Sequence, residues 1–497
     1  MIDHLENSPD LNGHRAMGRS IIYGVIWNGI NLILSRGITL LTMLILARIL
    51  IPDDFGLVAM AMVFTGFIRV TADLGLAAAL IQRRGKQLSS VHFNTAFWAS
   101  AGFNIIIFLV FAFVIAPFAA WFYEAESIRA IIAVSSFQMI LSTLAIVPRS
   151  LLIRALRFRP IALAESLGSV VGAITGIFLA LNGFGVWSLV FQALSQTLFS
   201  SLSLYLVVRW TPRIEFSKSA LRDLLGFGLF DALNRAIIHL SQNLDYLLVG
   251  KWLGAQALGH YSLAFIMTDI IRSQLMSVLN KVMFPVYSRL QDSTERIQTY
   301  YLTVIRYNTI AITPIMLIFF FLASPLVHLI LGEGWEATIF PLKALSIACV
   351  IHTIGGTSDS VIKGSGRSDL LFKLYVMKLL LISLPAFSIG TYFFGLPGAA
   401  TAMIVHKLGG RIMHHYTLQR LFAIYERDIL KAITPAFLAG VTTVPILISA
   451  GVYAAESFVH LATISFLIVA VFYSTAYFLV RDEIQNLRKM IISEPRT

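Results

Sequence analysis

Charged side chains interrupt long apolar stretches of this chain at spacings that match the turns of a helix. Arg69 and Asp73 are four residues apart, and Asp269 and Arg272 are three apart, so each pair shares one helical face. An ionisable group inside an apolar layer is energetically costly and is therefore a functional candidate by default. Further cations in apolar stretches are Arg36, Lys378, Lys407 and Arg411.

Arginine in such a setting suits the binding of an anion. Its planar guanidinium forms paired hydrogen bonds with phosphate. Arg69 and Arg272 are 203 residues apart, which is an offset at which the chain resembles itself. We therefore predict that these two arginines, together with Arg36, contribute to a cationic cavity for an anionic substrate. The alternative is that each pairs only with the aspartate beside it.

Three aspartates in the same stretches, Asp73, Asp245 and Asp269, are candidates for energy coupling. A buried carboxylate can carry a proton or help to coordinate sodium. Each also has a simpler interpretation, as the partner of an arginine or as a cap beside a turn.

The elements that must position these residues follow from the composition. The chain has 497 residues, of which 57% are hydrophobic and 13% are charged, and its mean hydropathy is +0.79. An ordinary globular chain has about 25% charged residues, so this composition excludes a soluble enzyme and a disordered chain. The expected fold is an all-α polytopic membrane protein.

Stretches of about 20 apolar residues predict fourteen transmembrane helices. They run approximately over 20–48, 55–81, 91–116, 127–148, 161–181, 186–208, 224–250, 257–284, 299–323, 338–361, 370–393, 398–420, 430–452 and 458–480. With the N-terminus inside, 26 of the 38 Lys and Arg residues lie in inside segments and three lie in outside turns. This asymmetry predicts that both termini are cytoplasmic. It also accounts for the net charge of +12 without nucleic acid as a partner.

Weak internal similarity predicts a repeat of six helices. Ile153-Arg154 resembles Ile362-Lys363, and the glycines at 183 and 185 resemble those at 395 and 398. Because six is even, both copies have the same orientation, with a pseudo-two-fold axis along the membrane normal. The predicted parts are a cytoplasmic N-terminal tail (1–19), an N-lobe of helices 1–6 (20–209), a linker (210–223), a C-lobe of helices 7–12 (224–420), helices 13–14 (421–480) and a cytoplasmic C-terminal tail (481–497).

The remaining motifs are interpreted as structural and not as catalytic or metal-binding. Asp53 and Asp54 are interpreted as a helix-capping turn in preference to a metal site. Gly168, Gly172 and Gly176 form a face for close helix packing. Cys349 is the one cysteine, which leaves no disulfide within the chain. We find no P-loop, HExxH or GxSxG motif, and we predict no catalytic residue, no metal site and no cofactor.

Several stretches carry a resemblance to a known family. They are Leu46–Leu57 (LARILIPDDFGL), Asp73–Arg83 (DLGLAAALIQR), Asn243–Asp245 (NLD) and Phe284–Leu290 (FPVYSRL). With these, the chain resembles the Wzx-type polysaccharide flippases, the O-antigen and exopolysaccharide branch of the multidrug/oligosaccharidyl-lipid/polysaccharide exporter superfamily. The resemblance covers residues from about 15 to 480.

The resemblance implies a substrate, an undecaprenyl-diphosphate-linked oligosaccharide, and its transfer from the cytoplasmic to the periplasmic leaflet by alternating access. It implies a bacterial inner membrane, a proton, sodium or membrane-potential gradient as the driving force, and a polysaccharide polymerase and chain-length machinery as partners. The family has a central cationic cavity, and the residues that map to it by charge and depth are Arg36, Arg69, Arg272, Lys378 and Arg411.

Two other functions remain open at this point. A multidrug or organic-cation antiporter of the same architecture would favour an acidic cavity, which the surplus of Arg and Lys within the spans argues against. A non-transporting membrane component of a polysaccharide assembly complex would need no cavity. A membrane glycosyltransferase is disfavoured because the outside connections are short.

Overall fold

The computed structural model describes residue 35 and residues 37–71, 76–82, 89–225, 228–291, 293–449 and 457–493. At 67–71, 77–78, 82, 223–237, 281, 368, 446–449 and 482–493 it describes the backbone alone. Every regular element in these ranges is helical, so the predicted all-α class is confirmed. Nine of the helical runs are long and apolar enough to cross a membrane, which makes this a multi-pass membrane protein.

The helices follow one another with short connections. Their bounds are α1 Gly37–Ile49, α2 Pro52–Thr71, α3 Leu76–Gln82, α4 Ser90–Tyr123, α5 Ser127–Arg154, α6 Phe158–Leu181, α7 Val186–Val208, α8 Lys218–Leu225, α9 Gly228–Arg289, α10 Thr294–Phe321, α11 Ile339–Ile354, α12 Ser358–Gly364, α13 Ser368–Lys378, α14 Leu384–Phe422, α15 Glu426–Ser449 and α16 Phe458–Ser493. A π-helical turn at Leu379–Ser383 joins α13 to α14. A short helix, Ala323–Leu326, follows α10.

Two long helical runs each continue through a predicted turn between spans. The helix α9 is interrupted at Gly254, which has a φ of 81° and a ψ of −178°. Likewise, α14 is interrupted at Gly395, with a φ of 62°. Glycine takes such conformations without the clash that a Cβ would cause. These breaks lie where the sequence predicts turns, although the count of fourteen membrane crossings stays a prediction.

The internal repeat is visible in the backbone at an offset of 210 residues. The turn after α5 and the turn after α12 close with the same three hydrogen bonds. In the first, amides 155, 156 and 157 donate to carbonyls 151, 153 and 152; in the second, amides 365, 366 and 367 donate to carbonyls 361, 363 and 362. Leu156 and Gly366 both have a positive φ, of 53° and 77°.

This structural register revises the alignment drawn from the sequence. Gly185 has φ and ψ of 52° and −130°, and Gly395 has 62° and −144°. These two glycines are therefore equivalent, at an offset of 210. The sequence matched the glycine pairs at 212 to 213 because letters alone do not show which glycine carries the positive φ. Gly398 instead packs against the backbone of Gly390.

Contacts divide the chain into two compact units, Met1–Gly259 and His260–Thr497, called here the first and second unit. The first unit has an apolar core in which α5, α6 and α7 pack, centred on Val147, Leu151 and Leu204. The second unit has its own core, around Tyr287, Tyr301 and Val361. The first unit includes the part of α9 up to Gly259, one helix more than the predicted N-lobe; the predicted lobe boundaries stay a prediction.

Candidate functional site

The side chains of three predicted site residues are not described by the structure. Arg36 and Asp73 fall in gaps between the described ranges. Arg69 lies near the end of α2, where only the backbone is described. The roles predicted for these residues therefore stay predictions.

The pair predicted at Asp269 and Arg272 forms in the second unit. Asp269 accepts hydrogen bonds from both Nε and Nη2 of Arg272, with Nε 3.0 Å from the carboxylate oxygen. The Arg272 side chain is 11% exposed and that of Asp269 is 28% exposed. This intrahelical pair fits the simpler interpretation of Asp269, and it leaves the Nη1 group of Arg272 for another partner.

Asp245, the third coupling candidate, lies on α9 in the first unit. It is buried, with 2% of its surface exposed. Asn243 beside it has a φ of −122°, so the helix is locally distorted at this point. A buried carboxylate at a distorted helical turn is consistent with coupling or with structure, and its role stays a prediction.

Lys378 ends α13 and faces α14. A Cβ built on Gly410 would lie 2.9 Å from Cδ of Lys378, so the lysine stem fills the space that this glycine leaves open. The ammonium lies 5.1 Å from the ring centroid of Tyr375, within the range of a cation–π interaction. In the described part of the chain no carboxylate lies within ion-pair distance of Lys378.

In the second unit, cations from three helices lie within electrostatic reach of one buried ring. His352, at the end of α11, lies within the electrostatic reach of Arg272, Lys378 and Lys407. These cations come from α9, α13 and α14. The sequence had placed Arg272 and Lys378 in the same cavity by depth alone, and the structure groups them with Lys407 inside one unit. We call Arg272, Lys378 and Lys407 the cationic cluster.

Arg411 has a different environment from Lys378, although both were predicted to bind substrate. Its guanidinium forms an ion pair with Glu426 at the start of α15. The Nε2 atom of His415 lies 3.3 Å from the second oxygen of the same carboxylate. Arg411 thus joins α14 to α15, and its assignment to substrate binding stays a prediction.

Sequence reasoning missed a group of polar residues next to Lys378. Asp359 of α12 accepts a hydrogen bond from the Tyr375 hydroxyl at 2.5 Å, and its other carboxylate oxygen lies 3.1 Å from Nε2 of His414. Asp359 falls inside the predicted tenth span, so the rule that singles out charges within spans would have found it. Nothing in the sequence indicates that His414, 55 residues away, is its neighbour.

The first unit carries the glycine face predicted from the sequence. A Cβ on Gly168 would lie 2.6 Å from the carbonyl oxygen of Gln196, and one on Gly172 would lie 2.9 Å from that of Gln192. The face therefore lets α6 and α7 pack closely. Arg149 and Glu165 form an ion pair on the neighbouring surface of α5 and α6.

The remaining motifs take structural positions. An oxygen of Asp54 accepts a hydrogen bond from the Ile51 amide at 3.4 Å, which fits a capping turn. Cys349 is buried, and its thiol lies 3.5 Å from the carbonyl oxygen of Thr268. Across the described residues, no group of three or more His, Cys, Asp or Glu side chains is arranged to hold a metal ion.

Comparisons with known proteins agree with this architecture. Residues 45–340 match the family described as "Polysaccharide biosynthesis protein". Lipopolysaccharide biosynthesis protein WzxC of Escherichia coli (strain K12) is 25% identical over 426 residues, which are 84% of this chain and 85% of the relative. Succinoglycan biosynthesis transport protein ExoT of Rhizobium meliloti (strain 1021) is 28% identical over 358 residues, 71% of each chain.

Solved structures share the fold. The lipid II flippase MurJ in an inward closed conformation superposes with a TM-score of 0.71, at 13% identity, over 93% of this chain and all of the other. An inward-facing multidrug resistance transporter of the MATE family superposes with a TM-score of 0.64, at 17% identity, over 81% of this chain and 98% of the other.

The family match spans more than half of the chain, and the relatives cover most of it. The two superpositions show that the chain shares the fold of those two proteins. The resemblance predicted from the sequence is thereby confirmed, and the chain belongs to the polysaccharide biosynthesis protein family, in the polysaccharide-flippase branch of the multidrug/oligosaccharidyl-lipid/polysaccharide superfamily.

Proposed function

We propose that this protein is a flippase for an undecaprenyl-diphosphate-linked oligosaccharide, which it moves from the cytoplasmic to the periplasmic leaflet of a bacterial inner membrane. The repeat unit would then serve the synthesis of an exopolysaccharide, a capsule or O-antigen. Relatives named for lipopolysaccharide biosynthesis and succinoglycan transport support this proposal.

The observation that carries the proposal is the cationic cluster around Lys378. A diphosphate loses its hydration shell when it enters a medium of low dielectric constant, and fixed positive charges that donate hydrogen bonds can replace that shell. Arg272 supplies a planar donor and Lys378 a compact ammonium within one unit. An organic cation would be repelled by the same charges, which argues against an antiporter for such substrates.

The membrane orientation and the energy source belong to the same proposal. The surplus of Lys and Arg in inside segments supports cytoplasmic termini. A proton, sodium or voltage gradient would drive alternating access. The polymerase and the chain-length machinery would receive the glycan in the periplasmic leaflet.

The proposal is tested with purified protein in liposomes that carry a fluorescent polyprenyl-diphosphate oligosaccharide. We expect protein-dependent exposure of the glycan in the opposite leaflet under an imposed gradient, measured by periodate or lectin accessibility. We expect Lys378→Gln to lower the rate at least tenfold. Lys251→Gln is the matched control, because Lys251 pairs with the exposed Glu124 outside the cluster.

Two outcomes would overturn the proposal. One is the absence of glycan transfer by folded protein under every imposed gradient. The other is transfer at the wild-type rate by folded Lys378→Gln together with Arg272→Ala. Uptake of an organic cation such as ethidium in place of the glycan would support the antiporter.

A further inference from the structure

The segment that joins α7 to α8 in the first unit lies at one end of two membrane-spanning helices. Residues 209–217, called here the α7–α8 connection, follow α7 directly, and they are hydrogen-bonded to the first turns of α4. Both α4 and α7 are long and apolar enough to cross a membrane. The connection therefore lies where these two helices leave the apolar layer.

Polar side chains of α4 hold the backbone of the α7–α8 connection at two points. The indole Nε1 of Trp98 donates to the carbonyl oxygen of Arg213 at 2.8 Å, and Oδ1 of Asn94 accepts the amide of Arg213 at 3.2 Å. The hydroxyl oxygen of Thr95 accepts the amide of Ser217 at 3.1 Å. Asn94 and Thr95 are buried, and buried polar groups of this kind need such partners. The path of the chain between the two points is thus fixed by the fold.

The residues between these two points alternate in direction. The carboxylate of Glu215 turns towards α4 and accepts a hydrogen bond from Nδ2 of Asn94 at 2.9 Å. Its neighbours point away, with Ile214 94% exposed and Phe216 55% exposed. Since the backbone is held on both sides, the fold itself presents these two apolar side chains. Apolar side chains at the end of a membrane span fit the boundary between lipid headgroups and acyl chains.

Positive charges surround this apolar pair. Arg209 and Arg213 of the connection are exposed, and so are Lys218 and Arg222, which share one face of α8. Glu215 is the one acidic residue in 209–222. Among the side chains that the structure describes in the first unit, no carboxylate lies within ion-pair distance of these four cations. The surface therefore has an uncompensated positive charge next to two apolar side chains.

The corresponding helix end of the second unit has a different surface. There α14 is followed almost directly by α15. The guanidinium of Arg420 lies 4.3 Å from the ring centroid of Tyr416, and that of Arg427 lies 5.5 Å from the ring centroid of Tyr425. Arg427 also lies 3.6 Å from Asp428. These cations have partners within their own unit, so the uncompensated charge is a property of the α7–α8 connection and not of every helix end.

We propose that the α7–α8 connection and α8 bind an anionic phospholipid of the adjoining leaflet. Ile214 and Phe216 lie among its acyl chains, and the four cations lie against its phosphate. Lysine and arginine form charge-assisted hydrogen bonds with phosphate oxygens, and cations near a membrane surface attract anionic lipids. A zwitterionic phospholipid carries no net charge and binds more weakly. This site is separate from the glycan substrate and goes beyond the proposed function.

The test measures which lipid lies next to residue 214. Full-length protein with Ile214→Cys and Cys349→Ala is labelled with bimane, an apolar fluorophore that takes the place of the isoleucine side chain. It is placed in nanodiscs of phosphatidylcholine that contain one low mole fraction of either phosphatidylglycerol or phosphatidylcholine with a nitroxide near the top of an acyl chain. We expect both lipids to quench the label, and the anionic lipid to associate at least about threefold more strongly.

Two sets of substitutions locate the preference. We expect Arg213→Gln with Lys218→Gln and Arg222→Gln to bring the ratio of the two association constants to about one, because the charges that attract the anionic lipid are gone. The matched control is Arg420→Gln with Arg427→Gln, which removes cations from the corresponding helix end of the second unit and should keep the preference. Thermal midpoints and size-exclusion profiles show that the compared proteins are folded.

Several results would overturn this inference. Equal quenching by the two lipids in the labelled parent protein would show that the site does not select an anionic lipid. Quenching by neither lipid would show that residue 214 lies outside the bilayer. A preference that survives the triple change, or that is lost equally in the control, would show that these cations do not form the site. Glycan transfer enters none of these measurements, so a failure of the proposed function and a failure of this inference are distinguishable.

Discussion

Helices α5 to α7 of the first unit and α12 to α14 of the second share one backbone register, but the chemistry at equivalent positions differs. In the first unit, Gly168 of α6 packs against Ser200 of α7, with backbone and small side chains in contact. In the second unit, 210 residues later, the same places hold Lys378 and Gly410. In the first unit the glycine lies on α6, the earlier of the two helices, whereas in the second unit it lies on α14, the later one. The space beside Gly410 holds the stem of Lys378.

A second pair of equivalent positions shows the same divergence. The first unit joins α5 to α6 through the ion pair of Arg149 and Glu165. At the same offset, the second unit joins α12 to α13 through the hydrogen bond from Tyr375 to Asp359. The first contact joins two charged side chains, whereas the second joins a phenol to a carboxylate that also lies 3.1 Å from Nε2 of His414. The comparison indicates that equivalent helix junctions are held by different side-chain contacts in the two units.

The largest expected effect distinguishes Arg272 from Arg69, the two arginines that the sequence aligns at an offset of 203. We expect Arg272→Ala to lower glycan transfer about a hundredfold and Arg69→Ala about tenfold, since Arg272 lies in the cationic cluster. Transfer rates in liposomes, with protein amount and thermal midpoint matched, measure this. The double change Arg272→Ala with Asp269→Ala is the control. If it restores transfer, Arg272 serves as the ion-pair partner of Asp269 and the difference between the units has another origin.

The two glycine contacts predict different stabilities. Gly168→Ala puts a methyl group against the Gln196 backbone and should destabilise the folded protein by about 1–3 kcal/mol. Gly410→Ala meets the flexible stem of Lys378 and should cost less than about 1 kcal/mol. Thermal midpoints in one detergent report both. Equal midpoints for the two variants would contradict the proposed difference in packing.

The two contacts between helices, Tyr375 with Asp359 and Arg149 with Glu165, should differ in their importance for transport. We expect Tyr375→Phe to raise the half-saturating substrate concentration about three- to tenfold, because the hydroxyl holds Asp359 beside the lysine. The double variant Arg149→Gln with Glu165→Gln should stay within about twofold of wild type. Initial rates over a range of glycan concentrations measure both. A larger loss in the first unit would reverse the assignment of roles.

The smallest expected effect concerns pH. The hydrogen bond from Lys251 lowers the pKa of Glu124, which lies in the turn after α4. A lowered carboxyl pKa stabilises the folded state above the unfolded pKa, and this stabilisation is lost as the pH falls below about 4.5. We expect a shift of the thermal midpoint of at most about a degree between pH 6 and pH 4, absent in Glu124→Gln. A shift centred near neutral pH would instead implicate a histidine.

Many of the helical segments were predictable from the sequence because a lipid environment restricts the backbone conformations of a membrane-spanning chain. Apolar runs of about 20 residues must be helical in a membrane, since every backbone polar group needs a partner within its own segment. The turn at 182–185 and the break near 254 carry glycines that punctuate these runs, and the structure confirms both. The register of the repeat was predicted less well, because several glycines compete for one alignment and only the backbone angles distinguish them.

The sequence by itself determined the membrane class, the helical segments and the surplus of positive charge within them, because these properties depend on composition and local periodicity. The tertiary structure decided which charged side chains lie close together. Asp359 and His414 are far apart in the chain and come into contact only because α12 lies near α14. Arg272 and Lys378 are also far apart, and both act on the ring of His352. Coulomb interactions depend on distance and burial, and neither quantity is set by position along the chain.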